Sequence, residues 1–412
     1  MAIPGDKSLS HRALIMGALA TGETRIKGLL ESDDVMATVA AIRAFGIQVE
    51  RDKNAWTVRG GEWQSPDKPI NCANSGTSAR LLMGAAAGFD LTATFTGDDS
   101  LRRRPMRRIT EPLERMGARI KGGDQLPITI RGGKLTGIHS VNQPASAQVK
   151  SAILLAGLHA SGEIVIEEPV PSRDHTEVML RQFGCEVGVD GAKVAMRGGQ
   201  RLTATEISIP ADPSSAAFAW LAAAIVPGSE VTVRDVLLNR LRSGFIVALQ
   251  RMGGDIALDN VRGQHGETIG DVRVRHTPLF AADFTADEIP SMIDEIPALT
   301  VAAAFARGET RIEGLDELRY KESDRLDGIA DGLTACGIEA RVEGDSLLIR
   351  GGSADGGEVE THNDHRLAMA FATLGLAAER PVTLDGAGMI ATSFPGFVPA
   401  MRSIGAEIDE LE

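Results

Sequence analysis

The sequence predicts an α/β chain of two similar domains, each made of three copies of one repeat packed around buried helices. Three observations carry that expectation. An apolar residue followed by glycine recurs at Phe45-Gly46, Met116-Gly117, Phe183-Gly184, Met252-Gly253, Cys336-Gly337 and Ile404-Gly405, with successive glycines 71, 67, 69, 84 and 68 residues apart by subtraction of their numbers. Ala-rich stretches that are apolar on nearly every face lie upstream of those pairs, at 11–20, 78–88, 149–158, 216–226, 298–306 and 365–378. Arg59, Arg131, Arg197 and Arg350 each precede Gly-Gly, so four copies close on the same tripeptide.

Each element follows from these landmarks. A helix without a polar face is buried on all sides, which makes the Ala-rich stretches inner helices. Alternating segments after them, at 24–28, 163–168, 230–235, 310–314 and 381–386, read as strands;. The glycine of each pair stands where a helix end takes a left-handed residue, so an amphipathic helix ends there. Short alternating runs such as 47–50, 118–121 and 339–343 then start a strand, and a turn leads to the strand closed by Arg-Gly-Gly;. The sixth copy is expected to end at its first strand after Gly405. A compositional break near Pro210 divides three copies from three, which puts a hinge near residues 207–212. The resulting domains are 8–209, and 1–7 with 210–412. The segment 260–286 fills the longest gap and is not placed by the pattern.

Composition bounds the function. A chain of 412 residues, 43% apolar and 24% charged, is folded globular material of two or three domains rather than a disordered chain;. With 43 Lys and Arg against 56 Asp and Glu, the net charge of -13 speaks against a nucleic acid or an anionic membrane as partner;. The longest apolar stretches, 216–226 and 367–378, fall short of the roughly 18 residues a spanning helix needs, and no signal-peptide pattern is present;. Cys72, Cys185 and Cys336 form no CxxC pair, which leaves a reduced, cytoplasmic chain with no disulfide framework and no thiolate metal site;.

The chemistry gathers in the loops before the inner helices: residues 5–8, 74–77, 146–148, 212–215, 293–297 and 363–366. They are polar and in phase. Helix N-termini present unpaired N–H groups and partial positive charge, so they favour phosphate and carboxylate. If the three inner helices of each half point one way, their starts converge on one face of that half, and two such faces opposed suit small polyanions. Basic residues follow the same logic: Lys7, Arg12, Arg80, the run Arg102, Arg103, Arg104, Arg107 and Arg108, then Lys321, Arg325 and Arg366. A guanidinium holds a carboxylate or phosphate through two bonds, whereas lysine offers a point charge and a movable proton.

Each feature has a plain alternative. The GDKS tetrapeptide lacks the leading glycine and spacing of a P-loop. An arginine run is commonly a solvated face. Glu322 and Arg325 stand at the i, i+3 spacing of an ordinary helical pair, Asp294 and Asp364 at the places of helix caps, and a lone His365 suits a structural role. Shared phase within a six-fold repeat is what raises these residues above their individual readings.

The segments PGDKSLSHRA (4–13), NSGTSAR (74–80), LRRRPM (101–106), SAQVKSA (146–152), SRDHTE (172–177), PSMIDE (290–295), KESDR (321–325), NDHR (363–366) and TSFPGF (392–397) together resemble the EPSP synthase family of enolpyruvyl transferases, from one end of the chain to the other. The resemblance implies an inside-out α/β barrel in each of two domains, three βαβαββ units around parallel buried helices. It implies transfer of the enolpyruvyl group of phosphoenolpyruvate to the 5-hydroxyl of shikimate 3-phosphate in aromatic amino-acid biosynthesis, by a cytoplasmic monomer with no metal or organic cofactor. Shikimate 3-phosphate is then expected at Lys7, Ser8, Arg12, Ser146, the backbone of Ala147, Gln148, Arg173, Asp294 and Lys321. Phosphoenolpyruvate is expected at Lys7, Asn74, Gly76, Arg104, Gln148, Arg325 and Arg366. Asp294 is the expected base, Glu322 the expected proton donor to carbon, and Lys7 and His365 are further candidates. Glu322 would need burial to hold its proton near neutral pH. Three departures from the family are the short lead of Met1-Ala2-Ile3 before the first block, where members usually have a stretch that supplies a strand to the second domain, a missing cation in the last block, where Thr392 and Ser393 stand, and Ala147 in place of a serine. Gly76 implies sensitivity to glyphosate, since members that resist it often carry alanine there.

Two other readings compete with this one. A sister transferase acting on UDP-N-acetylglucosamine shares the repeats, but the GDKSLSHR block and the lack of cysteine in residues 98–108 speak against it. A catalytically dead anion-binding chain is opposed by the retained Lys7, Asp294, Glu322 and Arg366.

Overall fold

In a computed structural model, which describes residues 1–410, the first five repeats follow one course of inner helix, strand, outer helix and two closing strands, and the sixth keeps its helices without a closing pair of strands among the described residues. The first runs α1 (Lys7–Leu19), β1 (Gly22–Lys27), α2 (Asp33–Ala44), β2 (Gln48–Arg51) and β3 (Trp56–Gly60). The second opens on β4 (Ile70–Asn71) and continues through α3 (Gly76–Ala87), β5 (Thr92–Thr96), the single turn α4 (Asp99–Arg103), α5 (Arg107–Met116), β6 (Arg119–Lys121) and β7 (Ile128–Arg131). The third comprises β8 (Leu135–Val141), α6 (Ala147–Gly157), β9 (Ala160–Glu167), α7 (His175–Gln182), β10 (Gly188–Asp190) and β11 (Lys193–Arg197).

The fourth repeat follows β12 (Glu206–Ser208) with α8 (Pro213–Ile225), β13 (Glu230–Leu237), α9 (Gly244–Arg251), β14 (Asp255–Gln264) and β15 (Glu267–Arg275). The fifth holds α10 (Ile296–Ala304), β16 (Glu309–Ile312), α11 (Arg325–Ala335), β17 (Glu339–Glu343) and β18 (Ser346–Arg350). The sixth has β19 (Glu358–Val359), α12 (His365–Leu374), β20 (Thr383–Leu384) and α13 (Phe397–Arg402).

Each amino-terminal repeat contributes a four-stranded sheet of the same plan. A strand ahead of the inner helix pairs parallel with the strand after it, which pairs antiparallel with the closing hairpin: β4-β5-β7-β6 and β8-β9-β11-β10. The first sheet, β12-β1-β3-β2, obtains its leading strand from the far end of the domain, with Ile26 of β1 opposite both Ile207 and Trp56. The later sheets are β13-β15-β14, β16-β18-β17 and β19-β20.

Inner helices are apolar because every face is covered; all residues of α8 and α10 are buried. The outer helices carry one apolar stripe, as in α5, where Ile109, Leu113 and Met116 face inward while Arg107 and Glu111 stay exposed;. The six glycines of the repeat all have positive φ, from +81° at Gly337 to +113° at Gly117. The first glycine of each Arg-Gly-Gly has a separate reason to lack a side chain. It lies against the carbonyls that end the inner helix, so a Cβ would stand 2.0 Å from Ala20 O at Gly60 and 1.9 Å from Ala306 O at Gly351;.

The chain divides into two compact units, Gly5–Ile209 and Met1–Pro4 with Pro210 onward. The first break lies three residues ahead of the expected 7–8 boundary, because Gly5 packs against the Gly28 carbonyl and Asp6 caps α1 by accepting from Leu9 N at 2.7 Å. Pro4 O instead accepts from Asp212 N, and the Met1 ammonium donates to Thr232 O. The unplaced segment resolves into two parts. The ten- and nine-residue strands β14 and β15 account for the long gap, and residues 280–284 run beside the fifth repeat, in the place of a leading strand, through isolated parallel bridges from Phe280 to Arg307 and from Phe284 to Ile312. The strand expected after Gly405 is not formed among the described residues: Ala406 N turns back to Met401 O, and Ile408 O is taken by the Arg402 guanidinium. No helix of the described residues is long and apolar enough to cross a membrane.

Candidate active site

In the amino-terminal unit the starts of α1, α3 and α6 are tied to one another. Gln148, in the first turn of α6, donates to Thr77 Oγ1 at 2.9 Å, and its own carbonyl oxygen accepts from Arg80 at 2.6 Å. Arg12 crosses from α1 to α6 and α7, donating to Ser8 O at 3.0 Å, Ser151 Oγ at 2.8 Å and Thr176 Oγ1 at 2.7 Å. Lys7 Nζ pairs with Asp34 Oδ2 at 2.7 Å. Ser146 is the residue before α6 and Ala147 its first residue, so the backbone N–H of Ala147 is one of the donors left open at a helix start;.

Arg104 turns inward at the end of α4 and donates to Asn74 Oδ1 at 2.7 Å, while Asn74 Nδ2 donates to Asp98 Oδ2 at 2.7 Å. A Cβ on Gly76 would lie 3.0 Å from the Arg80 guanidinium and 3.1 Å from that of Arg104. Three helix starts, Lys7, Arg12, Arg80 and Arg104 therefore share one face, the charge pattern an anion needs. Behind it His11 is wholly buried, with Nδ1 2.7 Å from Thr38 Oγ1. Burial first, then the charges of Lys7 and Arg12, hold its imidazole well below the ordinary histidine range;. Arg173 lies half-buried in the loop leading to α7.

In the carboxy-terminal unit the starts of α8, α10 and α12 meet in the same manner. Asp212 caps α8 by accepting from Ser214 N at 2.7 Å, and Arg242 spans Asp212 at 3.3 Å and Glu295 at 3.0 Å. Glu295 also accepts from Ser214 Oγ, and Arg366 donates to Ser214 O at 3.3 Å. Asp364 caps α12 through Arg366 N at 2.8 Å and takes two bonds from Arg325, at 2.8 and 3.1 Å. Arg325 also meets Glu322 at 2.5 Å and Asp294 at 3.8 Å, and Lys321 stands 3.6 Å from Asp294. Burial disfavours charge on Arg325, but Asp364, Glu322 and Asp294 outweigh it and push the guanidinium above its ordinary value. His365 is buried at the first position of α12.

Several open readings resolve here. Asp364 is a cap and a guanidinium ligand at once, whereas Asp294 precedes the N-cap residue of α10, which is Glu295. The Glu322–Arg325 pair spans the entrance to α11 rather than lying within it, since Asp324 is the cap. Of the arginine run, Arg104 alone is buried; Arg102, Arg103 and Arg107 are exposed, as a solvated face would be. Thr392 and Ser393 are buried at the end of a 3-10 turn. Sequence patterns had not singled out Asp34, Ser151 and Thr176, although all three sit in polar positions beside a helix start or within quoted blocks.

Six repeats with anion-seeking helix starts in each half are the architecture of an enolpyruvyl transferase. The fold matches the crystal structure of the enolpyruvyl transferase NikO from Streptomyces tendae with a TM-score of 0.79 at 19% identity, covering 99% of this chain and 94% of that one. A family model described as EPSP synthase (3-phosphoshikimate 1-carboxyvinyltransferase) matches residues 1–401. Proteins of Caulobacter vibrioides strain NA1000 and of Phenylobacterium zucineum, both named 3-phosphoshikimate 1-carboxyvinyltransferase, are 51% and 53% identical, over 99% and 98% of this chain and 95% and 92% of theirs. A solved EPSP synthase from Acinetobacter baumannii superposes with a TM-score of 0.88 at 42% identity, covering 99% of this chain and 96% of that one. The chain belongs to the EPSP synthase family.

Proposed function

We propose that this chain transfers the enolpyruvyl group of phosphoenolpyruvate to the 5-hydroxyl of shikimate 3-phosphate, releasing phosphate. The reading is carried by the family match over residues 1–401, which spans the cationic helix starts of both units. In this reading Lys7, Ser8, Arg12, Ser146, the Ala147 N–H, Gln148, Arg173, Asp294 and Lys321 take shikimate 3-phosphate. Lys7, Asn74, Gly76, Arg104, Gln148, Arg325 and Arg366 take phosphoenolpyruvate.

The reaction is an addition followed by an elimination. The 5-hydroxyl oxygen bonds to the substituted carbon of phosphoenolpyruvate and gives up its proton while the methylene carbon gains one. The resulting methyl then returns a proton, the double bond re-forms and phosphate departs with the C–O electron pair. A carboxylate at the hydroxyl and a donor at carbon divide this work, and Asp294 and Glu322 are assigned to those places, with Lys7 and His365 able to assist the proton at carbon. Three buried thiols, Cys72, Cys185 and Cys336, support a reducing cytoplasmic setting, and the enzyme is proposed to act as a monomer. Phosphate release from phosphoenolpyruvate with and without shikimate 3-phosphate tests the proposal. Release only with both is expected, and release that ignores shikimate 3-phosphate overturns it.

A further inference from the structure

Behind the amino-terminal helix starts lies a cation that no substrate can reach. Lys150, in the second turn of α6, is 1% exposed, and its Nζ stands 2.8 Å from Glu168 Oε2, 2.8 Å from Glu177 Oε1 and 3.1 Å from Ser172 O. These three acceptors use all three ammonium hydrogens. Glu168, just past the end of β9, is a hub: besides Lys150 it accepts from Ser172 N at 3.0 Å, Ser172 Oγ at 2.7 Å and Asn142 Nδ2 at 2.6 Å. The same Asn142 amide donates to Ser146 O at 2.9 Å.

A buried ion cluster of this kind does not maximise stability, since well-packed apolar side chains of similar size often do as well or better. What it supplies is fixed direction. Through Glu168 it clamps two loops, one carrying Ser146 and the other carrying Ser172 and Arg173. Through Glu177 it aligns α6 with α7, where the neighbouring side chains Ser151 and Thr176 lie 2.6 Å apart and together hold Arg12. Ser146, Arg173 and Arg12 thus converge on one support, while Asn74, Gly76 and Arg104 rest on other contacts.

We infer that Lys150 is a positioning residue for the shikimate 3-phosphate pocket: by anchoring Glu168, Glu177 and the Ser172 carbonyl it holds Ser146, Arg173 and Arg12 in binding geometry. This rests on the assignment of those three residues to shikimate 3-phosphate above.

The test is steady-state kinetics of the full-length Lys150→Met variant, varying each substrate at saturation of the other, beside a melting curve. The KM for shikimate 3-phosphate is expected to rise about tenfold, the loss of roughly one charged hydrogen bond, with that for phosphoenolpyruvate changed less than about twofold. Equal rises in both, or a lower Tm with neither KM moved, overturn the inference. If Lys150→Met does not fold, Ser172→Ala removes one clamp of the hub and leaves the ion cluster in place. It is expected to raise the same KM selectively, by about threefold, and an unselective effect again overturns the inference. Wild-type protein that releases no phosphate from the substrate pair sinks the proposed function, and this inference with it. Wild-type turnover with unselective variants sinks the inference alone.

Discussion

Lys7 and Asp34 form an ion pair of 2.7 Å between α1 and α2, and the second oxygen of the carboxylate, Oδ1, is buried without a hydrogen-bond partner among the described residues. The pair aims a cation that both substrates are proposed to share. Removing it as Lys7→Met is expected to lower kcat/KM by about 100-fold or more, the scale of a positioned charge and proton carrier, with little rescue by Lys7→Arg because a planar fork cannot replace a compact ammonium. Asp34→Asn loosens the aim and is expected to cost about tenfold in kcat/KM. Phosphate release measures both, and full activity in Lys7→Met would remove Lys7 from the site.

A methyl group at residue 76 meets the ends of two guanidiniums, at 3.0 and 3.1 Å. Crowding of this size costs about 1–3 kcal/mol where the neighbours cannot yield. Gly76→Ala is expected to raise the glyphosate inhibition constant about tenfold more than the KM for phosphoenolpyruvate, because the inhibitor is the longer occupant. Equal rises in the two constants would defeat the steric account.

Asp294 and Asp364 both face Arg325 but are expected to fail differently. Asp294 is partly exposed and Arg325 keeps other carboxylates without it, so Asp294→Ala should lose turnover, still bind shikimate 3-phosphate by calorimetry though more weakly, and cost less than about 1 kcal/mol of stability;. Asp364 is fully buried, caps α12 and holds Arg325 by two bonds. Asp364→Ala removes the α12 cap and the two-bond partner of a buried guanidinium, leaving it Glu322 and Asp294, and should cost about 3–5 kcal/mol in urea denaturation;. Similar stability losses in the two variants would contradict this division.

The buried, neutral His11 makes stability depend on pH. Its folded-state value lies below the unfolded one, so unfolded chains take up a proton that the folded state refuses;. The contribution is complete above about pH 6.5 and falls away as pH drops below that, by at most about 1.4 kcal/mol per pH unit. Urea midpoints at several pH values for wild type and His11→Asn should show a shallower acid decline in the variant, and parallel curves would exclude His11 as the source.

Much of the architecture was legible because its signals are local. Glycine after an amphipathic helix and an all-apolar inner helix need no distant partner to be recognised, and all six copies appear where those signals place them. Residues 280–284 were missed because two isolated bridges, at Phe280 and Phe284, leave no strand-length alternation to read. The strand expected after Gly405 failed for the converse reason, as Arg402 takes the Ile408 carbonyl. In the site, a run of five arginines could not reveal that Arg104 turns inward at the end of α4. Nor could local pattern connect Arg12 with Thr176, whose hydroxyl comes from 164 residues away.

The pairing of β12 with β1 gives synthesis a direction. Arg25 waits for Glu206 and Ile26 for Ile207, so a nascent chain leaving the ribosome holds an unfinished sheet edge until nearly the whole first half has emerged. At translation speeds of about 5–20 residues per second this leaves that edge open for roughly ten seconds or more. An open edge is a template for unwanted pairing, and the polar, charged stretch Gly22–Lys27, with Glu23, Arg25 and Lys27 pointing to water, is suited to that wait.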